Sequence, residues 1–210
     1  MAGHSLLQKM MYNYLEKLKS AHGFMPSKIL DIGAWNGFWT NNVRPIWPDA
    51  HYTCIEAGPK HKAKLKEVAD EFHIAVLGNS DREVKMYLRE INKGSKKKVT
   101  YTKGSTVFSI FKNYEIRQMQ TLDKLVGNDA QFDLIKQDVQ GAEIMVMEGC
   151  PAIFKRAKYV IQEVNQEPDP ALPLIPYEKQ MDEYMHTLGF TCSEVIEYKD
   201  NAGQIDKIYF

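Results

Sequence analysis

Leu6, Leu7, Met10, Met11, Tyr14, Leu15 and Leu18 recur at steps of three and four residues, the spacing that lines one face of a helix. The run stops near Gly23. An amphipathic N-terminal helix is expected there, placed either to cover a sheet or to close over a ligand. From residue 28 the pattern changes. Short apolar runs at 28–32, 51–56, 72–77, 132–138 and 159–164 read as buried strands, the fourth carrying a lysine at position 136. Proline and glycine punctuate what lies between. A helix beginning at Phe38 must end at the Pro45 and Pro48 pair, and Pro59 suits the first turn of a helix over 61–71. Gly149 and Pro151 stop a helix over 142–148, and a last helix is expected over 177–188. Strands at 190–198 and 205–210 close the chain around the turn Asp200-Asn201-Ala202-Gly203. Two further extended pieces, 84–88 and 106–111, flank a polar stretch and read as a hairpin-like excursion.

Strands that alternate with helices predict an α/β fold: a mostly parallel seven-stranded sheet, helices on both faces, and a C-terminal antiparallel hairpin. No repeat or linker divides the sequence, so one domain over 1–210 is expected. Its parts are a helical cover at 1–24, a core at 25–165, and a loop, helix and closing hairpin at 166–210.

Composition narrows the class. Hydrophobic residues make up 44% and charged residues 26%, a globular balance, and 27 basic residues meet 27 acidic ones. That argues against a polyanion as main partner. The three cysteines, Cys54, Cys150 and Cys192, show no paired spacing, so neither a disulfide framework nor a zinc site is expected. No apolar stretch approaches the roughly 18–20 residues that span a bilayer, and residues 1–20 lack a signal-peptide core. A cytoplasmic protein is expected; the pattern sets no oligomeric state.

The chemistry concentrates at two strand ends. The first run ends in Asp31-Ile32-Gly33-Ala34-Trp35-Asn36-Gly37, and the second ends in Glu56-Ala57. Strand, glycine turn, helix and a second strand tipped by a carboxylate form a nucleoside half-site. A dinucleotide fingerprint would place a glycine where Trp35 stands, because the backbone there must approach a pyrophosphate. No Gly-Lys-Ser or Gly-Lys-Thr supplies a P-loop either. The remaining fit is an amino acid joined to adenosine through a charged sulfur. Gly33 and Gly37 permit the turn, with Ala34, Trp35 and Asn36 lining it. Asp31 can hold an amino group, Glu56 can accept both ribose hydroxyls, and residues 75–79, Val76 among them, can touch the adenine. The bland alternative makes Asp31 and Glu56 turn carboxylates that cap a helix.

The second strand end is Lys136-Gln137-Asp138-Val139-Gln140-Gly141-Ala142-Glu143, and Glu163 and Asn165 tip the fifth run. Both belong at the sheet edge where open α/β folds bind ligands. Glu163 closes an apolar run, where a carboxylate is costly to bury without a partner.

These blocks together, ILDIGAWNG, CIEAGP, TLDKL, DLIKQDVQGAE and VIQEVN in that order, resemble the FkbM-type methyltransferases from about Ile29 to Asn165. The resemblance implies a Rossmann-like class I methyltransferase fold and S-adenosylmethionine as cofactor. It also implies O-methylation of a hydroxyl on a sugar, glycan or small natural product. A hydroxyl must lose its proton on methylation, so a general base is needed. Asp138 is the first candidate and Glu163 the second, with Asp138 also beside the cofactor and Gln140, Glu143 and Asn165 on the acceptor side. The family usually carries glutamate where this chain has Gln140. If that glutamate were the base, the chain would be a non-catalytic adenosyl-ligand module; if it only bonds a ligand, glutamine substitutes. A variant adds magnesium on Asp138, Glu163 and Asn165, though no spacing demands a metal. His51, His61, His73 and His186 read as structural or solvated. The lysine-rich stretch at 93–98 is either a solvated turn or an arm for an anionic acceptor such as RNA, which the neutral net charge disfavours. The proline-rich stretch at 166–176 is either an acceptor-side wall or a stiff connection.

Overall fold

A computed structural model of the chain describes residues 6–92, 98–107, 112–166, 176–197 and 204–210. Seven strands form the main sheet: β1 (Lys28–Ile32), β2 (His51–Glu56), β3 (Glu71–Ile74), β8 (Leu134–Gln137), β9 (Tyr159–Asn165), β10 (Cys192–Glu197) and β11 (Gln204–Tyr209). Their order is β10-β11-β9-β8-β1-β2-β3, parallel from β9 through β3, with β11 antiparallel to both β9 and β10. This is the expected doubly covered sheet with a reversing C-terminal pair.

Alternating side chains divide the core in two. Leu30, Ile32, Ile135, Val160, Val164, Ile205 and Tyr209 pack on one face with Val146, Phe154, Met181 and Met185. Those partners come from α5 (Glu143–Gly149), α6 (Pro151–Lys155) and α7 (Glu178–Thr187). Ile29, Leu134, Ile161 and Ile208 pack on the other face with Met11, Leu15, Leu18, Val43 and Trp47. There α1 (Leu6–His22) and α2 (Phe38–Val43) cover the sheet. Period-2 alternation in strands buried on both faces dictates this partition. It also fixes which polar residues share a side.

A second sheet has the order β4-β7-β5-β6, built from β4 (Val76–Leu77), β5 (Arg82–Asn92), β6 (Lys98–Thr106) and β7 (Tyr114–Gln120). Three expectations are corrected here. The run at 72–77 is not one strand: after Ile74 the chain leaves β2, and Val76–Leu77 pairs with Met119–Gln120 instead. The hairpin-like excursion is a four-stranded sheet, because β7 joins β5 antiparallel. The helix expected over 61–71 is a 3-10 turn, Pro59–His61, followed by α3 (Lys62–Val68). It stops early because Ala69 turns extended and Asp70 docks on β2: its backbone N–H donates to the Tyr52 carbonyl (3.0 Å) and its carboxylate accepts from Tyr52 N (2.8 Å). Short α4 (Leu122–Val126) follows β7. The lysine-rich 93–97, residues 108–111 of an expected extended piece, residues 167–175 of the proline-rich stretch, and the turn at 200–203 lie outside the described residues.

Candidate active site at the carboxyl edge of the sheet

The glycine turn leaves β1 with Gly33 at φ +78° and Gly37 at φ +75°. Gly33 and Ala34 both donate their N–H groups to the Ile55 carbonyl, at 2.8 and 3.0 Å. A Cβ on Gly33 would overlap the Asp138 carbonyl oxygen, so two backbones touch where the turn meets the end of β8. A Cβ on Gly37 would strike Val68 of α3. Trp35 also takes positive φ, +51°. Its N–H donates to Glu56 Oε2 (2.8 Å), and Gly58 N–H donates to Glu56 Oε1 (2.6 Å). Glu56 thus ties the two turns together at the tip of β2, and burial pushes its carboxyl upward against those two donors. The Trp35 ring meets His61 edge-on at 6.0 Å. His61 is buried in this wall, and that burial, with the nearby Lys60 charge, holds its imidazole below the usual pKa. Ala57 packs partly buried beside Val76, which sinks into a cluster with Met86 and Met119. The Val76 side chain therefore faces that apolar cluster.

Asp31 is 1% exposed. Thr40 Oγ1 donates to its Oδ2 at 2.7 Å, while Oδ1 has no hydrogen-bond partner among the described residues. Lys136 Nζ stands 3.7 Å from that oxygen and donates to Asp138 Oδ2 at 3.3 Å. The strand register explains the meeting. Asp31 lies beside Lys136 in the β1–β8 pair, Lys136 lies beside Ile161 in the β8–β9 pair, and Glu163 lies opposite Asp206 in the β9–β11 pair. Asp31, Lys136, Glu163 and Asp206 each lie two residues from a side chain that packs under α1 (Ile29, Leu134, Ile161 and Ile208), so the charges form one row on the α1 face. Tyr12 of α1 feels Lys136, Asp31 and Asp206 and hydrogen-bonds Asn42. The N-terminal helix therefore covers the sheet and also roofs this row.

At the row's centre, Gln140 Nε2 donates to Asp138 Oδ1 (2.5 Å) and Glu163 Oε2 (2.8 Å). Gln140 holds φ +57° to reach both. An amide nitrogen has two hydrogens, and both are spent here. A glutamate at this position would bring a third carboxylate against two others, so glutamine is the residue type this bridge requires. The two carboxylates differ in character. Burial pushes Asp138 up, but Lys136, the hydrogen bond from Glu163 and the Gln140 amide outweigh it and hold Asp138 below the usual range. Burial, the Asp138 charge and Asp206 all push Glu163 well above it. Asp206 itself is pushed up to about 7 by burial. The Asp138, Glu163 and Asp206 side chains are only partly exposed, so they sit in a recess that is desolvated yet reachable.

Glu143 plays a different part. Its Oε1 accepts the N–H groups of Val139 (2.9 Å) and Gly141 (3.2 Å), closing the turn after β8. It is 3% exposed, and burial pushes it up to about 7 against those donors. A raised carboxyl contributes stability that is complete below its ordinary pKa and is lost as pH rises through the folded value. Denaturant unfolding at stepped pH should thus show stability falling between about pH 4.5 and 7, with Glu143 contributing about 1–3 kcal/mol of the fall. Glu143→Gln should flatten that slope; an unchanged slope contradicts the assignment. Asn165, at the end of β9, forms an isolated bridge with Tyr177 and stands at the row's rim. Among the described residues, no three His, Cys, Asp or Glu side chains are arranged to hold a metal ion. A cleft of about 510 Å³ between α5 and α7, lined by Ile144, Met145 and Tyr184, lies on the sheet face away from the row.

Lys136, Asp206 and Tyr12 were not singled out as site residues by the sequence. The usable signal was an ionisable residue inside a buried strand, as at Lys136 and Asp206, where a charge demands partners.

Residues 31–192 match the model of the FkbM methyltransferase domain. The chain belongs to the FkbM methyltransferase family. No curated protein matches it in sequence. Among solved structures it is similar to magnesium protoporphyrin IX methyltransferase (ChlM) from Synechocystis PCC 6803 with bound SAM, at TM-score 0.52 and 8% identity over 100% of this chain and 85% of that one. It is also similar to the N-methyltransferase NodS from Bradyrhizobium japonicum WM9, at TM-score 0.51 and 12% identity over 98% and 96%. At such identities these likenesses speak for the fold: a class I methyltransferase fold. The FkbM domain is that of an S-adenosylmethionine-dependent methyltransferase, with S-adenosylmethionine as its cofactor. The residues present fit that group. The Gly33 cradle has no room for a Cβ, Glu56 tips β2, and the half-satisfied Asp31 lies under an acidic recess suited to a cation. Among the described residues no helix is long and apolar enough to cross a membrane.

Proposed function

We propose that this protein methylates a hydroxyl oxygen of a saccharide or small natural product, with Glu163 as the general base. The observation that carries this reading is the Asp138–Gln140–Glu163 bridge, set at the carboxyl edge of the sheet directly against the Gly33 turn. In the same reading Asp31, Gly33, Ala34, Trp35, Asn36, Gly37, Glu56 and Ala57 hold the cofactor. Gln140 and Asn165 shape the acceptor side, while Glu143 holds the turn that carries Gln140.

S-adenosylmethionine supplies a methyl carbon made electrophilic by its sulfonium. The chain's task is alignment and proton removal. Two carboxylates whose environments drive their proton affinities apart have divided roles. Asp138, kept ionised, accepts a hydrogen bond and orients. Glu163, its proton affinity raised by burial and by the Asp138 charge, is the stronger base of the two and takes the proton. Gln140 fixes the spacing of the pair and donates to both. The acidic row disfavours RNA or an acidic glycan as acceptor, since either would bring more negative charge to it.

Calorimetry with S-adenosylmethionine, followed by transfer assays on neutral saccharides and hydroxylated small molecules, tests the reading. One-to-one binding and transfer that Asp138→Asn lowers by roughly 10²-fold support it. Binding without transfer to any hydroxyl, in wild type as in the variant, contradicts it.

A further inference from the structure

The reading above leaves one buried group unused. Lys136 sits on central strand β8 with its side chain 11% exposed, and no other cation enters the row among the described residues. A lone ammonium inside a sheet is costly to bury, and its place is maintained only by the charges it meets. Those charges come from every element packed around it: Asp31 on β1, Asp138 just past the end of β8, Glu163 on β9 and Asp206 on β11, beneath the Tyr12 phenol of α1. Two of the contacts are unequal in meaning. Asp31 belongs to the glycine-turn side and Asp138 to the bridged pair, and Lys136 Nζ stands 3.7 Å from one and 3.3 Å from the other.

Resting on the methyltransferase reading, we propose that Lys136 is a positioning residue that ties the cofactor-side Asp31 to the acceptor-side Asp138 and thereby reserves proton acceptance for Glu163. Four carboxylates share one ammonium, so they cannot all stay ionised without water around them. The carboxylate bonded to the ammonium keeps its charge. Glu163 feels Lys136 only through its field, and its bonded partners are Gln140 and Asp138. It therefore takes the proton. Asp206, opposite Glu163 in the register, adds a second negative charge that reinforces this assignment. With Lys136 removed, Asp138 and Glu163 would become alike, and the proton would be shared between two poorly placed acceptors. Since Gln140 spends both amide hydrogens on the same pair, it does not distinguish them.

The test reads protonation directly on the ligand-free protein. Carboxyl carbons of aspartate and glutamate are labelled with carbon-13 and followed by NMR across pH. In wild type the Asp138 signal should titrate below the Glu163 signal. Lys136→Met should move Asp138 upward by at least one pH unit and bring the two together, and Lys136→Arg should restore their separation. Asp31→Asn supplies a second arm should Lys136→Met not fold: with one competitor gone, the ammonium bears harder on Asp138, whose titration should move down. Coincident titrations in wild type, or titrations unmoved by Lys136→Met or by Asp31→Asn, overturn the proposal. Kinetics separate this from the underlying reading. If wild type transfers methyl to a hydroxyl, Lys136→Met should shift the acid limb of the kcat/KM profile to higher pH, whereas a purely structural lysine would lower it evenly at every pH. If wild type transfers none, the methyltransferase reading fails whatever the NMR shows.

Discussion

Glu163→Gln is expected to lower kcat by 10²–10⁴-fold while leaving S-adenosylmethionine affinity within about threefold of wild type. The side chain keeps its shape, and an amide can still meet Gln140, but it cannot take a proton from a hydroxyl. Because burial and the neighbouring Asp138 charge raise Glu163, the base is ionised only above the ordinary carboxylate range. Activity of the wild type should therefore rise with pH through that raised value, since the unprotonated form is the active one. Stopped assays of kcat across pH, with cofactor saturating, check both points. A Glu163→Gln enzyme with full turnover would transfer the role to Asp138. That carboxylate is held ionised by Lys136 and is the weaker base of the two.

Gly33→Val should weaken S-adenosylmethionine binding by at least 10²-fold and lower stability by about 1–3 kcal/mol. Two separate penalties coincide at this position. Positive φ disfavours a branched side chain, and the new Cβ would occupy the space of the Asp138 carbonyl. The backbone must shift, and it shifts the cofactor turn and the end of β8 together. Gly127 supplies the control. It holds φ +88° but has open space where a Cβ would go, so Gly127→Val should carry only the conformational penalty and leave cofactor binding intact. Calorimetry and thermal unfolding of both variants separate the terms. Equal effects at the two positions would mean that contact with Asp138 contributes nothing.

The sequence spoke clearly where a single segment decides its own structure. Five core strands show as apolar runs because both faces of the sheet are covered there, and the closing pair shows from the turn signal between two extended stretches. The glycine turn shows because its positive φ values favour glycine. Less was legible where the outcome depends on which strands become neighbours. The chain leaves the main sheet at Ala75 because Val76–Leu77 finds a better partner in Met119–Gln120, more than 40 residues away. Nothing local encodes that exchange. The candidate site divides in the same way. Asp138, Glu163 and Gln140 lie at recognisable strand ends, whereas Lys136 and Asp206 gain their meaning only from register. Lys136 falls beside Asp31, Asp206 falls opposite Glu163, and a one-residue slip in either pair would send those side chains to the other face. Tyr12 likewise gains its place at the site only from the way α1 packs over the row.

Gln140 changes meaning most. Set against a family that usually carries glutamate, it leaves two readings open, a lost base or a ligand-bonding residue that glutamine can replace. In the fold its amide donates to both candidate carboxylates, which a glutamate could not do without a proton. The glutamine is consistent with a working pair held at fixed spacing.

Everything proposed for the acceptor turns on which atom receives the methyl group. Carbon-13 methyl-labelled S-adenosylmethionine, incubated with the protein and hydroxylated acceptors, answers this by NMR of the product. A methoxy carbon that disappears with Glu163→Gln is the expected result. A methyl carbon bonded to nitrogen, sulfur or carbon, formed equally well by Glu163→Gln, would contradict the account.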